Sequence, residues 1–205
     1  MTTGPPPHER DTLTLSMLPV PNSVPSWVRL GVRPGVHVGP SVHVPGEQGL
    51  HVGRAGAPMF ALLAVLCGEW REEDVEPSDY AFAVGDGLVI APPEPVCVHD
   101  FAWTAANERP RSCSAAVVGW FEASEVVQGA PKSARVVYYA LHAARALKAG
   151  QEITFHYGSE YACVRARKGY SVGEPAVVLK ERVPRSETPA AVFGAHVRRD
   201  AFVMQ

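Results

Sequence analysis

Apolar residues alternate with polar or small ones early in the chain, as they do in half-buried β-strands. From Trp27 onward the alternation recurs in three short runs: Val28, Leu30 and Val32; Val36 and Val38; Val42 and Val44. Glycine and proline separate these runs at the spacing of tight turns. The pattern predicts short strands joined by turns.

Later apolar runs extend this prediction along the chain. The run Met59–Leu66 fits a strand or a short helix by periodicity, and its neighbours favour a strand. Two further runs, Tyr80–Val84 and Leu88–Ile90, flank Gly85-Asp86-Gly87, and an Asp-Gly pair suits the tight turn of a hairpin. We therefore predict a β-hairpin at this place.

The second half of the chain contains longer periodic segments. They predict strands at Ala115–Phe121, Arg135–Ala143 and Ala176–Leu179. A short helix that carries Trp103 is predicted at Val98–Asn107. Together these segments predict a mostly β fold with few short helices.

Prolines and charges divide the chain into three parts. Residues 1–26 hold six prolines and little periodicity, which predicts an extended N-terminal arm. Residues 27–161 carry the periodic pattern and form the predicted folded domain. Residues 162–205 are basic, with eight Lys or Arg against three acids between Arg165 and Arg199. A solvated segment is the favoured interpretation, and a nucleic-acid contact is the alternative.

The net charge of −2 gives no overall reason to bind nucleic acid or an anionic membrane. The longest apolar run, Ala57–Cys67, has 11 residues, whereas a helix needs about 20 to span a bilayer. We therefore predict no membrane span. Seven acidic residues lie between Glu69 and Asp86, against the single basic Arg71. They predict a solvated loop or, as the alternative, the rim of a groove that attracts basic peptides.

The four cysteines, Cys67, Cys97, Cys113 and Cys163, are scattered, and no CxxC pair occurs. This spacing predicts buried free thiols rather than a disulfide framework, and therefore a reducing, intracellular compartment. Cys97 and His99 have the residue types of zinc ligands, but without a second pair we predict no metal site.

The segment Ile153–Tyr157 has the alternation of a strand, which places the rings of Phe155 and Tyr157 on one face. By the same alternation His156 points to the opposite face. On these residues alone, packing of both rings in a core is the favoured interpretation.

The longer stretch Ala149–Gly158 resembles the C-terminal signature of SET-type protein lysine methyltransferases, with its Ala-Gly-acid turn and Phe-Asp-Tyr-Gly-like ending. Gly49-Leu50-His51-Val52 resembles the glycine-rich methyl-donor loop of that family. Gly68-Glu69 resembles the Gly-Glu that closes the family's first sheet. The three motifs follow the family's order within residues 27–161, and an ordered set is more specific than one motif.

A narrower resemblance is to the PR branch of the SET family. Leu30–Ser41 is similar to the opening of PR domains, and Gly158–Ala162 is similar to their ending. The SET sequence Asn-His-Ser-Cys is absent, as it is in PR domains, and Asn107 at the matching position is followed by Glu108. The cysteine cluster that builds a post-SET zinc site is absent from the sequence as well.

The resemblance implies a SET/PR fold of several short β-sheets with a knot-like C-terminal crossing, in which Ile153–Tyr157 lies beside the Asn107 segment. It implies transfer of a methyl group from S-adenosylmethionine to a lysine amine in an extended peptide, such as a histone tail. Tyr157 matches the catalytic tyrosine of the family. Phe155 matches the position that limits the number of methyl groups, and phenylalanine there implies di- or trimethylation.

The resemblance also implies two binding regions. The methyl-donor site contains Gly49, Leu50, His51, Ala106, Asn107 and Glu108, and the lysine channel contains Phe155, Tyr157, Tyr80 and Phe82. Because His51 stands where many members carry glycine, we expect it to be a loop residue and not a catalytic base. We assign no catalytic role to His156, which stands where an acid or Asn is more usual.

The peptide groove of the family would include part of the acidic stretch Glu69–Asp86, which complements a basic histone tail. A nuclear location follows if the substrate is a histone. The alternative function is a PR-like protein-interaction module that is catalytically weak or inactive. The missing Asn-His-Ser-Cys sequence and His51 motivate this alternative.

Overall fold

The computed structural model describes residues 31–66, 69–72, 80–85, 88–92, 96–97, 101–109, 112–123, 135–158, 161, 167 and 172–193. The predicted N-terminal arm, residues 1–26, lies outside these ranges, and so do the middle of the acidic stretch, residues 73–79, and Cys67 and Cys163. Within the described ranges, no helix is long and apolar enough to cross a membrane.

The described part of the chain is mostly β, as the sequence predicts, and contains three antiparallel sheets of three strands each. The first sheet has the order β1-β2-β9 and contains β1 (Val36–Pro40), β2 (Gln48–Val52) and β9 (Glu152–Ile153). Leu50, in the middle strand, is completely buried. This sheet therefore joins an early hairpin to a strand from much later in the chain.

The second sheet is the longest and has the order β3-β8-β7. It contains β3 (Leu62–Val65), β7 (Ala115–Ala123) and β8 (Arg135–Ala143). Strands β7 and β8 pair over nine residues, from Ala115 opposite Ala143 to Ala123 opposite Arg135.

The third sheet has the order β4-β6-β5. Its strands are β4 (Glu69–Glu72), β5 (Phe82–Gly85) and β6 (Leu88–Ala91).

The main hydrophobic core lies between the first two sheets and a short 3-10 helix, Ala102–Ala105. Trp103 of this helix is buried in the core together with Leu50, Leu63 and Leu141. The two sheets and the helix pack their hydrophobic faces together and so exclude water from these side chains. This exclusion is the main source of folding stability. The core positions β2, the helix and β9 beside one another.

A second, smaller core lies where the C-terminal segment covers the β3-β8-β7 sheet. It contains Leu62, Ala140 and Phe193, and Phe193 ends a short α-helix, Pro189–Phe193. Two 3-10 helices, Lys180–Arg182 and Arg185–Glu187, precede that helix. Part of the basic segment thus folds back onto the domain.

Glu187 fastens this C-terminal segment to the sheet. One carboxylate oxygen, Oε2, lies 2.6 Å from Arg33 Nη1 and accepts a hydrogen bond from the main-chain N–H of Leu62 at 2.9 Å. A carboxylate that accepts two bonds from charged and buried donors is a strong hydrogen-bonding partner. The contact spans 125 residues of sequence.

His142 is completely buried beneath the same segment. Its Nε2 accepts a hydrogen bond from Trp120 Nε1 at 3.1 Å, so the ring proton resides on Nδ1, which donates to the carbonyl of Phe60 at 3.0 Å. Burial lowers the pKa of His142, and this outweighs the opposing effects of the Phe60 carbonyl and Glu187. His142 is therefore a neutral core residue.

The sequence predicted most of these strands. The run Met59–Leu66 contains a strand, β3, and Tyr80–Val84 and Leu88–Ile90 coincide with the antiparallel pair β5 and β6. Ala115–Phe121 and Arg135–Ala143 are strands, and the predicted helix that holds Trp103 is the 3-10 helix.

Three predictions of local structure were wrong. Val42 and Val44 lie in a turn and not in a strand, and Val42 is 73% exposed. Ala176–Leu179 is irregular rather than a strand. The predicted strand Ile153–Tyr157 is shorter, because the ladder of β9 ends at Ile153 and only Thr154 adds an isolated bridge.

The two cysteines in the described ranges are both free. Cys113 is buried as predicted, and burial raises the pKa of its thiol. Cys97 is exposed, so the prediction of buried thiols was wrong for that residue. Exposure at Cys97 reflects its place in a segment outside the three sheets.

Candidate functional site

Five aromatic side chains form a continuous row, here called the aromatic cluster: Phe82, Tyr139, Phe155, Tyr157 and Tyr161. Neighbouring ring centroids lie 4.9 to 6.5 Å apart, and the Phe155–Tyr157 and Tyr157–Tyr161 pairs meet edge to face. These spacings are those of favourable aromatic pairs. Strands β5 and β8 and the chain after β9 each contribute to the cluster.

The aromatic cluster runs from the core toward the surface. Phe155 is 4% exposed, whereas the rings of Phe82, Tyr139 and Tyr157 are half-buried against the main core. The close Phe155–Tyr157 contact confirms that these two side chains lie on the same side of the chain, as strand alternation predicts. Aromatic faces attract cations, and apolar walls favour the neutral form of an amine.

Tyr157 is held at both ends by one short segment. Its hydroxyl donates a hydrogen bond to the carbonyl of Ala106 at 3.0 Å, and its main-chain N–H donates to Glu108 Oε1 at 3.2 Å. Between these contacts, the N–H of Phe155 donates to the carbonyl of Asn107 at 3.0 Å. The chain after β9 therefore lies directly beside the Asn107 segment, a contact that the resemblance implies.

His156 faces the same segment from the other side of the chain. Its Nε2 lies 3.8 Å from Glu108 Oε1, and its Nδ1 accepts a hydrogen bond from the N–H of Gly158 at 3.0 Å. The side chain of Glu108 is completely buried in this pair. A buried carboxylate beside a histidine is a feature that the sequence alone did not identify.

The first half of the predicted donor site, Gly49 to His51, lies within β2. The expectation that His51 is a loop residue was therefore wrong, because the ladder of β2 extends past it to Val52. His51 is 7% exposed. Its Nε2 lies 3.0 Å from the carbonyl of Pro40 and its Nδ1 lies 3.4 Å from that of Gly150. Both ring nitrogens face main-chain oxygens, so His51 joins neighbouring turns.

Glu152 is the centre of a buried polar network that sequence reasoning missed. Its carboxylate accepts hydrogen bonds from Ser41 Oγ at 2.8 Å, Val42 N at 2.6 Å and Asn107 Nδ2 at 3.1 Å. Asn107 Nδ2 also donates to the carbonyl of Gln48 at 2.8 Å. The network joins the turn after β1, the start of β2 and the Asn107 segment.

This network determines the charge state of Glu152. Burial raises the pKa of Glu152, but hydrogen bonds from Asn107, Ser41 and Val42 outweigh burial and lower it overall. The carboxylate therefore stays ionised in the folded protein at neutral pH. Only the ionised form can accept all of these bonds at once.

Gly49 is a glycine because of the same network. A Cβ atom at this position would lie 2.8 Å from Glu152 Oε1 and 2.9 Å from His51 Nε2. Contacts this short require the carboxylate or the imidazole to move. The glycine that resembles part of a donor loop thus also has a packing role in this protein.

The structure brings together only part of the predicted lysine channel. Phe82, Phe155 and Tyr157 belong to the aromatic cluster, whereas Tyr80 precedes β5 and is 40% exposed. Tyr139 and Tyr161 belong to the cluster but were not predicted. Tyr139 sits in no motif, whereas Tyr161 lies in Gly158–Ala162, the stretch that resembles the PR-domain ending.

No group of three or more His, Cys, Asp or Glu side chains in the described ranges could hold a metal ion.

Comparison of the chain with models of known protein families gave no match, and comparison with curated protein sequences gave none either. The aromatic cluster and the segment that holds Tyr157 are therefore the features of the described residues that point to a function.

Proposed function

We propose that this protein is an S-adenosylmethionine-dependent protein lysine N-methyltransferase of the SET/PR type, capable of di- and trimethylation. The observation that carries the proposal is Tyr157, whose hydroxyl is fixed on the carbonyl of Ala106 within a row of aromatic rings. Methyl transfer to an amine is an in-line displacement, so it requires an aligned acceptor in a water-poor channel.

The aromatic cluster suits a lysine side chain. Phe82, Phe155 and Tyr157 offer apolar faces along the aliphatic stem, and burial among them favours the neutral amine that attacks a methyl group. Tyr157 lies between Phe155 and Tyr161 in this row, and its hydroxyl oxygen orients the amine. The neutral amine that takes the methyl group becomes a methylammonium, which must lose a proton before it can accept another methyl group.

The donor site of the proposal lies beside the Tyr157 hydroxyl, on Ala106, Asn107 and Glu108, with Gly49 at the start of β2 nearby. When bound, S-adenosylmethionine supplies an electrophilic methyl group on a sulfonium. Leu50 and His51 have ladder partners on both β1 and β9, so their main chains are largely committed to the sheet. The segment Ala106–Glu108 is therefore the larger part of the proposed site.

A radioactive methyl-transfer assay tests the proposal. The full chain and labelled S-adenosylmethionine are incubated with histones and with whole-cell protein. Label on lysine supports the proposal, and Tyr157→Phe should lower the rate about 10²- to 10³-fold, as loss of one catalytic hydroxyl typically does. Val177→Ala, at a 73% exposed position outside the site, serves as the control. An undiminished rate in Tyr157→Phe would remove Tyr157 from its role.

One observation favours a second candidate, a catalytically inactive interaction module of the PR type. Asn107 Nδ2 already donates to Gln48 and to Glu152, so both of its hydrogens are engaged within the protein. Calorimetric titration with S-adenosylmethionine distinguishes the two candidates. Saturable binding supports the enzyme, whereas a folded protein that releases or absorbs no heat supports the interaction module.

A further inference from the structure

The main chain of Glu108 belongs to the proposed donor site, but its buried carboxyl group has no part in the proposed methyl transfer. The residue is 2% exposed, and removing a charged group from water costs free energy unless hydrogen bonds replace its hydration. Its Oε1 accepts a hydrogen bond from the main-chain N–H of Tyr157 at 3.2 Å. The Glu108 side chain is thus bonded directly to the backbone of Tyr157.

The geometry fixes how His156 meets Glu108. Because His156 Nδ1 accepts the N–H of Gly158, a neutral ring carries its proton on Nε2, and that atom lies 3.8 Å from Glu108 Oε1. This distance is too long for a hydrogen bond but short enough for attraction between the N–H dipole and the carboxylate. His156 therefore restrains Glu108 from one side while holding Gly158 on the other.

These contacts surround Tyr157 in sequence and in space. Glu108 holds its main-chain nitrogen, Ala106 holds its hydroxyl, and His156 holds the next residue, Gly158, whose φ of +101° is a left-handed conformation. With both ends of the tyrosine fixed, the ring has little freedom to tilt. A shift of about 1 Å in a reacting geometry can lower a rate about 10²-fold.

We propose that Glu108 and His156 are positioning residues, which hold the Tyr157 hydroxyl in place by fixing its main chain. This inference rests on the proposed function of Tyr157, and it assigns His156 a role that strand alternation alone did not suggest. Neither side chain touches the reacting atoms. Their effect should therefore appear in kcat rather than in KM.

Two substitutions at Glu108 test its hydrogen bond to the N–H of Tyr157, because one keeps an acceptor and the other removes it. Glu108→Gln keeps a carbonyl oxygen for the N–H of Tyr157, whereas Glu108→Leu keeps the volume and removes the acceptor. We expect Glu108→Leu to lower kcat about 10²-fold with KM for donor and peptide changed less than about threefold. Glu108→Gln should restore kcat to within about tenfold of the wild type, because the acceptor is retained.

His156 offers a second, independent pair of variants. In His156→Asn the side-chain oxygen can still accept the N–H of Gly158, but the group that faces Glu108 is lost, whereas His156→Ala loses both contacts. We expect kcat to fall in the order wild type, His156→Asn, His156→Ala. If Glu108→Leu does not fold, this order decides the proposal, and equal kcat values in all three proteins would overturn it.

Hydrogen exchange at the Tyr157 amide gives a readout that needs no activity. Exchange should be faster in Glu108→Leu than in Glu108→Gln and the wild type, while amides of β7 stay protected. Unchanged exchange in Glu108→Leu, or equal losses of kcat in Gln and Leu, would overturn the proposal. If the wild type transfers no methyl group, the proposed function fails by itself, and the exchange rates alone decide whether Glu108 positions Tyr157.

Discussion

The main-chain N–H of Leu62 donates a hydrogen bond to Glu187 Oε2 at 2.9 Å and so connects β3 to the C-terminal segment. Glu187→Ala leaves this N–H beneath the segment without its carboxylate. We expect a loss of about 1–3 kcal/mol in the free energy of unfolding, the usual cost of an unsatisfied buried donor. Denaturant unfolding of the full chain measures this loss.

Arg33→Ala is the matched control for Glu187→Ala. Arg33 is one third exposed in its pair with Glu187, and its removal leaves the bond from Leu62 intact. The expected loss in the free energy of unfolding for Arg33→Ala is therefore at most about 1 kcal/mol. Equal losses in the two variants would mean that the ion pair, and not the bond to Leu62, holds the segment.

Gly49→Ala tests the packing at the start of β2. The added Cβ would meet Glu152 Oε1 and His51 Nε2 at less than 3.0 Å, so we expect a loss of about 1–3 kcal/mol from overpacking. Gly39→Ala on the neighbouring strand is the control, because its Cβ would make an ordinary 3.5 Å contact with His51. Thermal unfolding compares the two, and equal stabilities would contradict the packing role.

Glu152 should make the protein sensitive to acid. Its folded-state pKa lies below the ordinary value of 4.5, so its stabilisation is fully present above pH 4.5 and is lost as pH falls through the lowered pKa. Glu152→Gln should lose about 1–3 kcal/mol at neutral pH and show a shallower decline below pH 4.5. Denaturant unfolding at a series of pH values measures both effects, and Glu47→Gln, at an exposed position, should keep the wild-type stability at neutral pH.

His142 should make the stability of the protein depend on pH in a higher range than Glu152 does. Because its folded-state pKa lies below 6.5, the unfolded chain binds a proton more readily, and stability falls as pH drops below 6.5. For this one group, the free energy of unfolding should change by no more than about 1.4 kcal/mol per pH unit. His142→Gln should flatten the dependence of stability on pH between pH 6.5 and 5, measured by denaturant unfolding at a series of pH values.

Phe155→Tyr tests the proposed control of product. A hydroxyl on this buried ring would occupy space beside Tyr157, whose centroid is 4.9 Å away, and would leave less room for added methyl groups. We expect the product to shift from di- and trimethyllysine toward monomethyllysine, measured by mass spectrometry of a peptide substrate. An unchanged product distribution would contradict the role of Phe155.

The strands were predictable where alternation reflects a local half-buried surface. Strands β7 and β8 alternate and pair with each other over nine residues, so their own sequences determine them. Val42 and Val44 alternate equally well but lie in a turn, because Glu152, 110 residues later, binds the N–H of Val42. No local pattern contains that contact.

The site was predictable only in its motif residues. Phe155 and Tyr157 lie in the recognisable stretch Ala149–Gly158, and both belong to the aromatic cluster. Tyr139 reaches the cluster through the register of β8 with its neighbours. Glu108 reaches the main chain of Tyr157 through the parallel bridge between Asn107 and Thr154. Register and bridges are properties of the folded chain and not of its local sequence.

The first sheet places β9 beside β2, although most of the domain separates them in sequence. Strand β2 leaves the ribosome long before β9, so Leu50 cannot pair with Ile153 until β9 has been synthesised. Until then Glu152 is not available to bind the turn after β1, and Tyr157 has not reached Ala106. The proposed catalytic residue therefore becomes positioned late, and a nascent chain stalled before residue 150 contains the aromatic rings of β5 and β8 without Tyr157.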